Sequence, residues 1–392
     1  MIEEKLHRLL TAAAEDVRPS HPALRGWERA RRTRRARRAA GAAALAVVLL
    51  ASGATLALGL ADAPAPTRPA SPTPGPVPSA SPVQRPPAEL SYPGDPLSRL
   101  GDPVGATLSA RPVRQALALY QPVDHETYTG GVIRVLGDDG IVRSLDVVTP
   151  SATRDRHGNE APALKPGQLS PDGRTAVFPQ TNELILVDLT TATVRRVPLD
   201  GYLELVVWIG DRVLVGGDDR TYLVDPVSRE AGRVSGSIWE TVAPDPATRP
   251  TRVAETSGMR DGLTLRSRAM PAGTLQDQRR ISSAALPRPF QVNEFYGRGW
   301  QRGGRIAQAA WITNGVIDGA EGVAVLDART GAVTQLLDLG RDNRSKGCCE
   351  VLGWDGDDVL LRLDGQLVRW RPETGEVTGV VRALAGMVAL AG

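Results

Sequence analysis

The sequence predicts an all-β domain, a six- or seven-bladed β-propeller with seven blades favoured, preceded by one transmembrane helix and a short cytoplasmic helix. A run of uncharged residues over 39–61, with a cluster of arginines directly before it, predicts the membrane part. Apolar alternation with period two, repeating about every 40–50 residues, predicts the propeller. The expected order is a basic cytoplasmic tail (1–38), the membrane helix (39–61), a Pro-rich disordered linker (62–89) and the propeller (90–392).

The segment over 39–61 contains 23 uncharged residues. A helix needs about 20 apolar residues to cross a bilayer. The next basic residue after the segment is Arg68, so the positive-inside rule places the N-terminus in the cytoplasm and the C-terminal domain outside. The arginines that orient the segment are Arg29, Arg31, Arg32, Arg34, Arg35, Arg37 and Arg38.

A cleaved signal peptide is the competing interpretation of this segment. Its basic region would span residues 1–38, and its apolar run would exceed the usual length of roughly 7–15 residues. Ala61-Asp62-Ala63 resembles a cleavage site, but Pro64 would follow the cut. We therefore favour a retained signal-anchor, which makes the chain a single-pass protein of the cell membrane.

The net charge of +3 is distributed unevenly along the chain. Residues 1–38 carry 11 basic and 5 acidic residues, whereas residues 62–392 carry 36 basic and 39 acidic residues. The pI of about 9.0 would favour nucleic-acid binding only if the basic excess lay on the folded domain. Since the excess lies beside the apolar run, we expect it to orient the chain in the membrane and expect no nucleic-acid partner.

Residues 2–17 place apolar side chains at helical spacing, and Pro19 ends the pattern. Such a short amphipathic helix is marginal alone, so it favours either docking to a cytoplasmic protein or lying at the lipid headgroups. The tail, with Trp27 inside its Arg-rich segment, resembles the N-termini of actinobacterial single-pass membrane proteins, some of them anti-sigma-factor-like regulators. That resemblance implies a sigma-factor partner, although the zinc-binding Cys-x-x-Cys motif is absent from the sequence.

Ten prolines lie between residues 64 and 87. A stretch of this composition favours extended polyproline II structure and reaches about 3.1 Å per residue. We interpret it as a spacer that holds the folded domain away from the membrane.

Two motifs recur in the C-terminal domain. The first is a turn rich in Asp and Gly that leads into an apolar strand, at 169–177, 208–215, 300–307 and 354–361, with a missing copy expected near Met259–Arg268. The second is a strand that ends in Asp or Trp and is followed by a hairpin turn, at Asp188, Asp225, Asp327 and Trp370. Four short strands per repeat are typical of propeller blades, whereas the rival β-sandwich requires no such repeat.

The stretch Leu169–Phe178, which reads LSPDGRTAVF, resembles the TolB-like and WD40-like propeller repeats of bacteria. The resemblance covers about residues 108–392. We expect the ring to close by pairing the strand near Val113–Tyr120 with C-terminal strands.

Cys348 and Cys349 are the only cysteines. Outside the cell they meet an oxidising environment, which favours a vicinal disulfide. The disulfide would be strained, because neighbouring Cα atoms lie about 3.8 Å apart and ordinary disulfides require about 4.4–6.8 Å. Two free or buried thiols, or a metal or redox role, are the alternatives.

No residue has a pattern that indicates catalysis. The acidic stretches at 137–140, 217–219 and 355–358 have the composition of hairpin turns and lack the spacing of calcium sites. His125 and His157 are the only histidines of the domain, and no nucleophile motif or P-loop occurs. We predict no catalytic, cofactor-binding or metal-binding residue, and no cofactor.

The preferred function is a membrane-anchored binding, scaffold or sensor module whose partner is a protein or an envelope component. One alternative is a propeller enzyme acting on an extracytoplasmic carbohydrate or peptide. The other is a transmembrane regulator of a sigma factor, acting through residues 2–17. Two or three clustered carboxylates or histidines at the central channel mouth would favour the enzyme, and an exposed apolar or aromatic patch on the blade tops would favour binding.

Overall fold

The computed structural model describes residues 80–124, 127, 129–248, 250–315, 319–340 and 349–392. The predicted tail, the predicted membrane helix and most of the predicted linker lie outside this part of the chain. Within it, no helix combines the length and the apolarity that crossing a membrane requires.

The described chain is almost entirely β-structure, with two short 3₁₀ helices at Pro96–Gly101 and Arg260–Gly262. The strands are β1 (Val83–Gln84), β2 (Ala106–Thr107), β3 (Ala116–Pro122), β4 (Arg134–Gly137), β5 (Val142–Ser144), β6 (Thr153–Arg154), β7 (Glu160–Ala161), β8 (Thr175–Gln180), β9 (Glu183–Asp188), β10 (Thr193–Pro198), β11 (Leu205–Ile209), β12 (Arg212–Gly216), β13 (Thr221–Val224), β14 (Ala231–Arg233), β15 (Arg252–Ser257), β16 (Thr264–Ala269), β17 (Thr274–Arg280), β18 (Gln291–Arg302), β19 (Arg305–Thr313), β20 (Ala320–Asp327), β21 (Val333–Asp338), β22 (Glu350–Asp355), β23 (Asp358–Leu363), β24 (Gln366–Arg371), β25 (Glu376–Val381) and β26 (Gly386–Leu390).

These strands form six blades of four antiparallel strands each. From the axis outward, blade 1 is β26-β3-β4-β5, blade 3 is β11 to β14, blade 5 is β18 to β21, and blade 6 is β22 to β25. Blade 2 is β8 to β10 with the inner segment 167–170, and blade 4 is β15 to β17 with the inner segment 240–243. Bridges attach these inner segments, pairing Leu169 with Ala176 and Thr241 with Glu255. Alternate apolar side chains of neighbouring blades pack together as the core.

Each blade has four antiparallel strands, so its outermost strand runs opposite to its innermost strand. The chain therefore begins every inner strand at the same face, and all inner strands run in one direction. The bridge between Ala243 of blade 4 and Trp300 of blade 5 is parallel, as this requires. The disc therefore has two different faces. We call them the start face, where the inner strands begin, and the end face, where they end.

The C-terminal strand β26 closes the ring by pairing with β3, where Val388 lies opposite Tyr120. This confirms the expected closure. The preference for seven blades is wrong, because the residues at both ends of the domain have other roles. The C-terminal residues complete blade 1, and the N-terminal residues run along the outside of the ring.

Residues 80–107, which we call the strap, follow the outer edges of three consecutive blades. Strand β1 pairs in parallel with β21 of blade 5, and β2 pairs in parallel with β5 of blade 1. On blade 6, the amide of Gly379 donates to the carbonyl of Ser91 at 2.7 Å. Since β1 lies within the segment assigned to the linker, the chain packs on the propeller before the predicted boundary at residue 90.

The second motif, a strand that ends in Asp, forms a hairpin turn as the sequence predicts. The carboxylates of Asp188, Asp225 and Asp327 accept backbone amides from the residues two and three positions on, between the third and fourth strands of blades 2, 3 and 5. The missing copy of the first motif was expected at Met259–Arg268, but this stretch joins β15 to β16, the second and third strands of blade 4. The prediction is therefore wrong, because the other copies join the first and second strands. The equivalent inner turn of blade 4 lies between residues 243 and 252, where Pro244 and Pro246 replace the Asp-Gly pattern.

Candidate functional site

A cavity of about 40 Å³ lies on the propeller axis towards the end face. A volume of this size holds about three water molecules. Residues from the inner strands of all six blades line it, among them Leu169, Trp208, Pro244, Arg298, Trp354 and Leu390. Most of this lining is apolar or aromatic.

The indole of Trp300 lines the cavity and reaches towards the opposite blade. A Cβ atom built on Gly167 of blade 2 would lie 3.7 Å from Cη2 of Trp300 on blade 5. Blades 2 and 5 are opposite each other in a six-membered ring, so this side chain crosses the axis. Its Nε1 donates to the carbonyl of Val351 at 2.8 Å, and its carbonyl accepts from Nε1 of Trp354 at 2.8 Å.

Position 167, which faces the indole of Trp300, requires a glycine. Its φ of +89° lies in the left-handed region that favours glycine. A Cβ there would also stand 2.9 Å from the carbonyl oxygen of Val206, closer than carbon and oxygen normally approach. Any larger residue would displace either the inner strand of blade 3 or Trp300.

A bulge in β18 sets the direction of Arg298. The pairing of β18 with β19 shifts register between Tyr296 and Trp300, and Gly297 has a φ of +65°. Nε2 of Gln308 donates to the carbonyl of Gly297 at 3.0 Å and braces the bulge. Bulges redirect side chains, and this one places Arg298 in the lining of the cavity.

Arg298 carries a cation into this enclosed region. Its Nη1 is buried, and no described residue accepts a hydrogen bond from it. Burial lowers the pKa of Arg298 to about 10, while the nearby carboxylate of Glu350 raises it. Glu350 is shared, because its carboxylate lies 2.9 Å from Nη2 of Arg362. The guanidinium of Arg298 therefore stays charged at neutral pH and is only partly neutralised.

Trp208 also lines the cavity, and its Nε1 is buried. Within the described part of the chain its Nε1 has no hydrogen-bond acceptor. Arg302 also lines the cavity, whereas the described lining contains no carboxylate or imidazole side chain. The charged side chains of the described lining are therefore both arginines, and they lie among aromatic residues.

Asp245 fixes the rim of the cavity. It is 6% exposed, and its carboxylate accepts the amides of Ala247 at 2.9 Å and Gly303 at 2.7 Å. These bonds tie the inner turn of blade 4 to the corresponding turn of blade 5. The rim is thus held in a defined shape.

A second charged pair lies towards the start face, between blades 2 and 3. Nζ of Lys165 donates to Oγ1 of Thr153 and, at 3.1 Å, to the carbonyl of Glu204. Burial lowers the pKa of Lys165 to about 8, and the charge of Glu204 raises it. These two hydrogen bonds connect Lys165 to two other segments of the chain, at Thr153 and Glu204. We therefore assign Lys165 a structural role.

The structure does not bring the predicted site residues together. The orienting arginines between residues 29 and 38, Cys348 and His125 lie outside the described residues. Sγ of Cys349 is buried 3.3 Å from Oη of Tyr296 and 3.6 Å from the carbonyl oxygen of Gly322. The predicted vicinal disulfide requires both cysteines, and Cys348 lies outside the described residues. The disulfide therefore stays a prediction.

The remaining predicted features lie in turns. His157 donates its backbone amide to Asp155 at 2.8 Å in the turn between β6 and β7. The acidic stretches at 137–140, 217–219 and 355–358 join antiparallel strands, as expected. Among the described residues, no group of three or more His, Cys, Asp or Glu side chains is arranged to hold a metal ion.

Sequence reasoning missed Arg298, Trp208 and the axial role of Trp300. The stretch Gly297-Arg298-Gly299 gave a usable signal, since glycine inside a strand marks a bulge or a close approach of a ligand. No sequence signal indicates that Trp300 reaches the opposite blade.

No family model matches the chain, and no curated protein sequence matches it. Among solved structures it is similar to TolB from Acinetobacter baumannii, with 16% identity and a TM-score of 0.45, over 70% of this chain and 66% of TolB. The β-propeller domain of the Trilobed protease from Pyrococcus furiosus gives 13% identity and a TM-score of 0.39, over 68% of this chain and 83% of that domain. The chain spans just under two thirds of the length of TolB. The six-bladed assignment rests on the strand pairing described above.

Proposed function

We propose that the protein is a single-pass membrane protein whose extracytoplasmic propeller binds a protein or an envelope component at the end face. The observation that carries this proposal is the axial cavity, which is lined by arginine and tryptophan residues from several blades. Ligand sites are typically concave, mostly apolar and furnished with a few convergent polar groups.

The composition of the cavity favours binding over the enzyme alternative. Trp208, Trp300 and Trp354 line it together with Arg298 and Arg302. Tryptophan and arginine are enriched among the residues that dominate binding energy at interfaces. The described lining lacks the paired carboxylates or histidines that would favour an enzyme.

The membrane part of the proposal rests on the sequence. A phosphatase reporter fused after Gly392 is expected to be active outside the cytoplasm, and the full-length chain is expected to require detergent for extraction. A reporter active only in the cytosol, or a chain that is soluble after lysis without detergent, would overturn the anchor.

The binding part is tested by site-specific photo-crosslinking of the full-length chain in membranes. A photoreactive residue replaces Gln301, which lines the cavity, or Arg195, which is exposed on the outer strand of blade 2. We expect a discrete adduct from position 301 and none from position 195. Equal labelling at both positions, or no adduct at position 301, would contradict binding at the end face.

A further inference from the structure

We propose that Asn314 is a modification site, at which the side-chain amide converts to a carboxylate in the folded protein without an enzyme. The new charge lies against the buried carboxylate of Asp338 and weakens the attachment of the strap to blade 5. This inference is independent of the proposed function.

Asn314 differs from the other asparagines in the residue that follows it. The sequence contains five asparagines, and only Asn314 precedes a glycine. An asparagine loses its amide when the backbone nitrogen of the next residue attacks the side chain and closes a five-membered ring. A side chain on that next residue hinders the attack, and glycine has none. Asn314 is therefore the most reactive asparagine of the chain.

The turn after β19 preserves this reactive pair. Gly315 is exposed, and within the described chain its amide donates no hydrogen bond. Its φ of +88° lies in the left-handed region that favours glycine, and a Cβ at this position would stand 3.0 Å from Cγ of Pro289. The fold thus requires at position 315 the residue that makes Asn314 reactive.

The reaction needs only water. The backbone nitrogen of Gly315 loses its proton and bonds to Cγ of Asn314, while the bond from Cγ to Nδ2 breaks and ammonia leaves. A water molecule then opens the ring at one or the other carbonyl, which gives aspartate or isoaspartate. Both products carry a carboxylate.

Asn314 packs against a carboxylate that is already buried. Its Nδ2 donates to Oδ1 of Asp338 at 3.2 Å, and the side chain of Asp338 is 1% exposed. The conversion replaces this donor with a second negative charge. Like charges repel most strongly where water is excluded, so the two carboxylates move apart or one of them takes up a proton.

The strap depends on the same carboxylate. Nε and Nη2 of Arg85 both lie 3.0 Å from Oδ2 of Asp338. Arg85 directly follows β1, which pairs with β21 of blade 5. The side chain of Arg85 is 69% exposed, so water screens its charge and it offsets little of the repulsion from a second carboxylate. The modification therefore weakens the ion pair next to β1.

The test ages the full-length protein in detergent at mildly alkaline pH, with the guanidinium-denatured chain in the same buffer as the reference. Peptide mass spectrometry measures the conversion of amide to acid at each asparagine. We expect Asn314 to convert in both samples at comparable rates, while Asn293, which precedes Glu294, stays intact in the folded one. Conversion of Asn314 in the denatured chain alone, or in neither sample, would overturn the proposal.

A variant confirms the chemistry. Asn314→Gln keeps a side-chain amide, but its longer side chain cannot close a five-membered ring. Position 314 should therefore stay unmodified in this variant under the same conditions. Equal conversion of Asn314 and of the glutamine would contradict the ring-closing route.

Hydrogen exchange measures the consequence for the strap. The amide of Leu336 in β21 donates to the carbonyl of Pro82 at 2.8 Å and reports on this attachment. Asn314→Asp, which is one of the products, should exchange faster at Leu336 than the unaltered protein. Asn293→Asp adds the same charge where Nδ2 faces Oγ1 of Thr313 at 2.8 Å, and it should leave this exchange unchanged. Equal exchange in the two variants would overturn the effect on the strap.

A double variant shows whether charge repulsion is the cause. In an Asp338→Asn background, Asn314→Asp should no longer speed the exchange at Leu336, because no carboxylate remains at position 338. An undiminished effect in that background would overturn the role of Asp338.

Discussion

The two halves of the ring are held together differently. Blades 5, 6 and 1 carry the strap along their outer edges, with β1 and β2 as additional parallel strands. Blades 2, 3 and 4 have no strand of the strap on their outer strands β10, β14 and β17. In this open half, the described contacts that blades 2, 3 and 4 make with neighbouring blades include ones inside the disc, such as Lys165 to Glu204 and Ala243 to Gly299.

The difference follows from where the ring closes. Blade 1 contains both β3 and β26, so the closure between distant parts of the chain depends on noncovalent pairing alone. The strap crosses this closure, with one strand paired on blade 5 and another on blade 1. The open half is continuous in sequence and does not contain the closure.

The largest expected effect tests the interior contacts of the open half. Lys165→Met should lower the free energy of unfolding by about 3–5 kcal/mol, because the buried Glu204 loses its countercharge and two acceptors lose a donor. Urea unfolding of the full-length chain measures it. Arg195→Met, at an exposed site on blade 2, should stay within about 0.5 kcal/mol. Similar values for both variants would refute the structural role of Lys165.

A smaller effect is expected in the strap. Gln84 accepts from Nε1 of Trp370 and donates to the carbonyl of Pro372, both at 2.6 Å and both buried. Gln84→Ala should cost about 2 kcal/mol in free energy of unfolding, since it leaves these two groups unpaired. Gln276→Ala, on the exposed outer strand of blade 4, is the control. A Gln84→Ala protein as stable as the control would show that the strap adds nothing to the closure.

The smallest effect depends on pH and lies in blade 1. Hydrogen bonds from Arg143, at 2.7 and 3.0 Å, lower the pKa of Asp139 to about 2. A carboxyl with a depressed pKa in the folded state stabilises the fold above about pH 4 and loses that contribution as pH falls towards 2.

The stability advantage of the unaltered protein over Asp139→Asn should therefore shrink steadily between pH 5 and pH 2 in unfolding titrations. A difference that stays constant over this range would show that the carboxylate charge of Asp139 does not contribute.

The sequence predicted the features that depend on local patterns. Strand alternation, the Asp-Gly hairpins and the pairing of the C-terminal strand with the region of Tyr120 are all confirmed. The preference for seven blades was wrong because Val83–Gln84 and Ala106–Thr107 add strands to existing blades. Their partner strands lie more than 35 residues away, and such short segments carry no pattern that identifies them. The turn of blade 4 was misplaced because prolines replace its Asp-Gly signal.

The candidate site was the least predictable part. Arg298 and Trp208 line one cavity only because blades 3 and 5 are both arranged around the axis, and the burial of their polar atoms is a property of the assembled ring. The Gly-Arg-Gly stretch indicates a bulge but not the direction in which the arginine points. The membrane anchor and its orientation stay predictions, since residues 39–61 lie outside the described chain.

The indole of Trp300 belongs to blade 5 and approaches Gly167 of blade 2, so one side chain connects opposite sides of the ring. The same residue is hydrogen-bonded to Val351 and Trp354 of blade 6. A change at this single position would therefore alter contacts with two other blades at once.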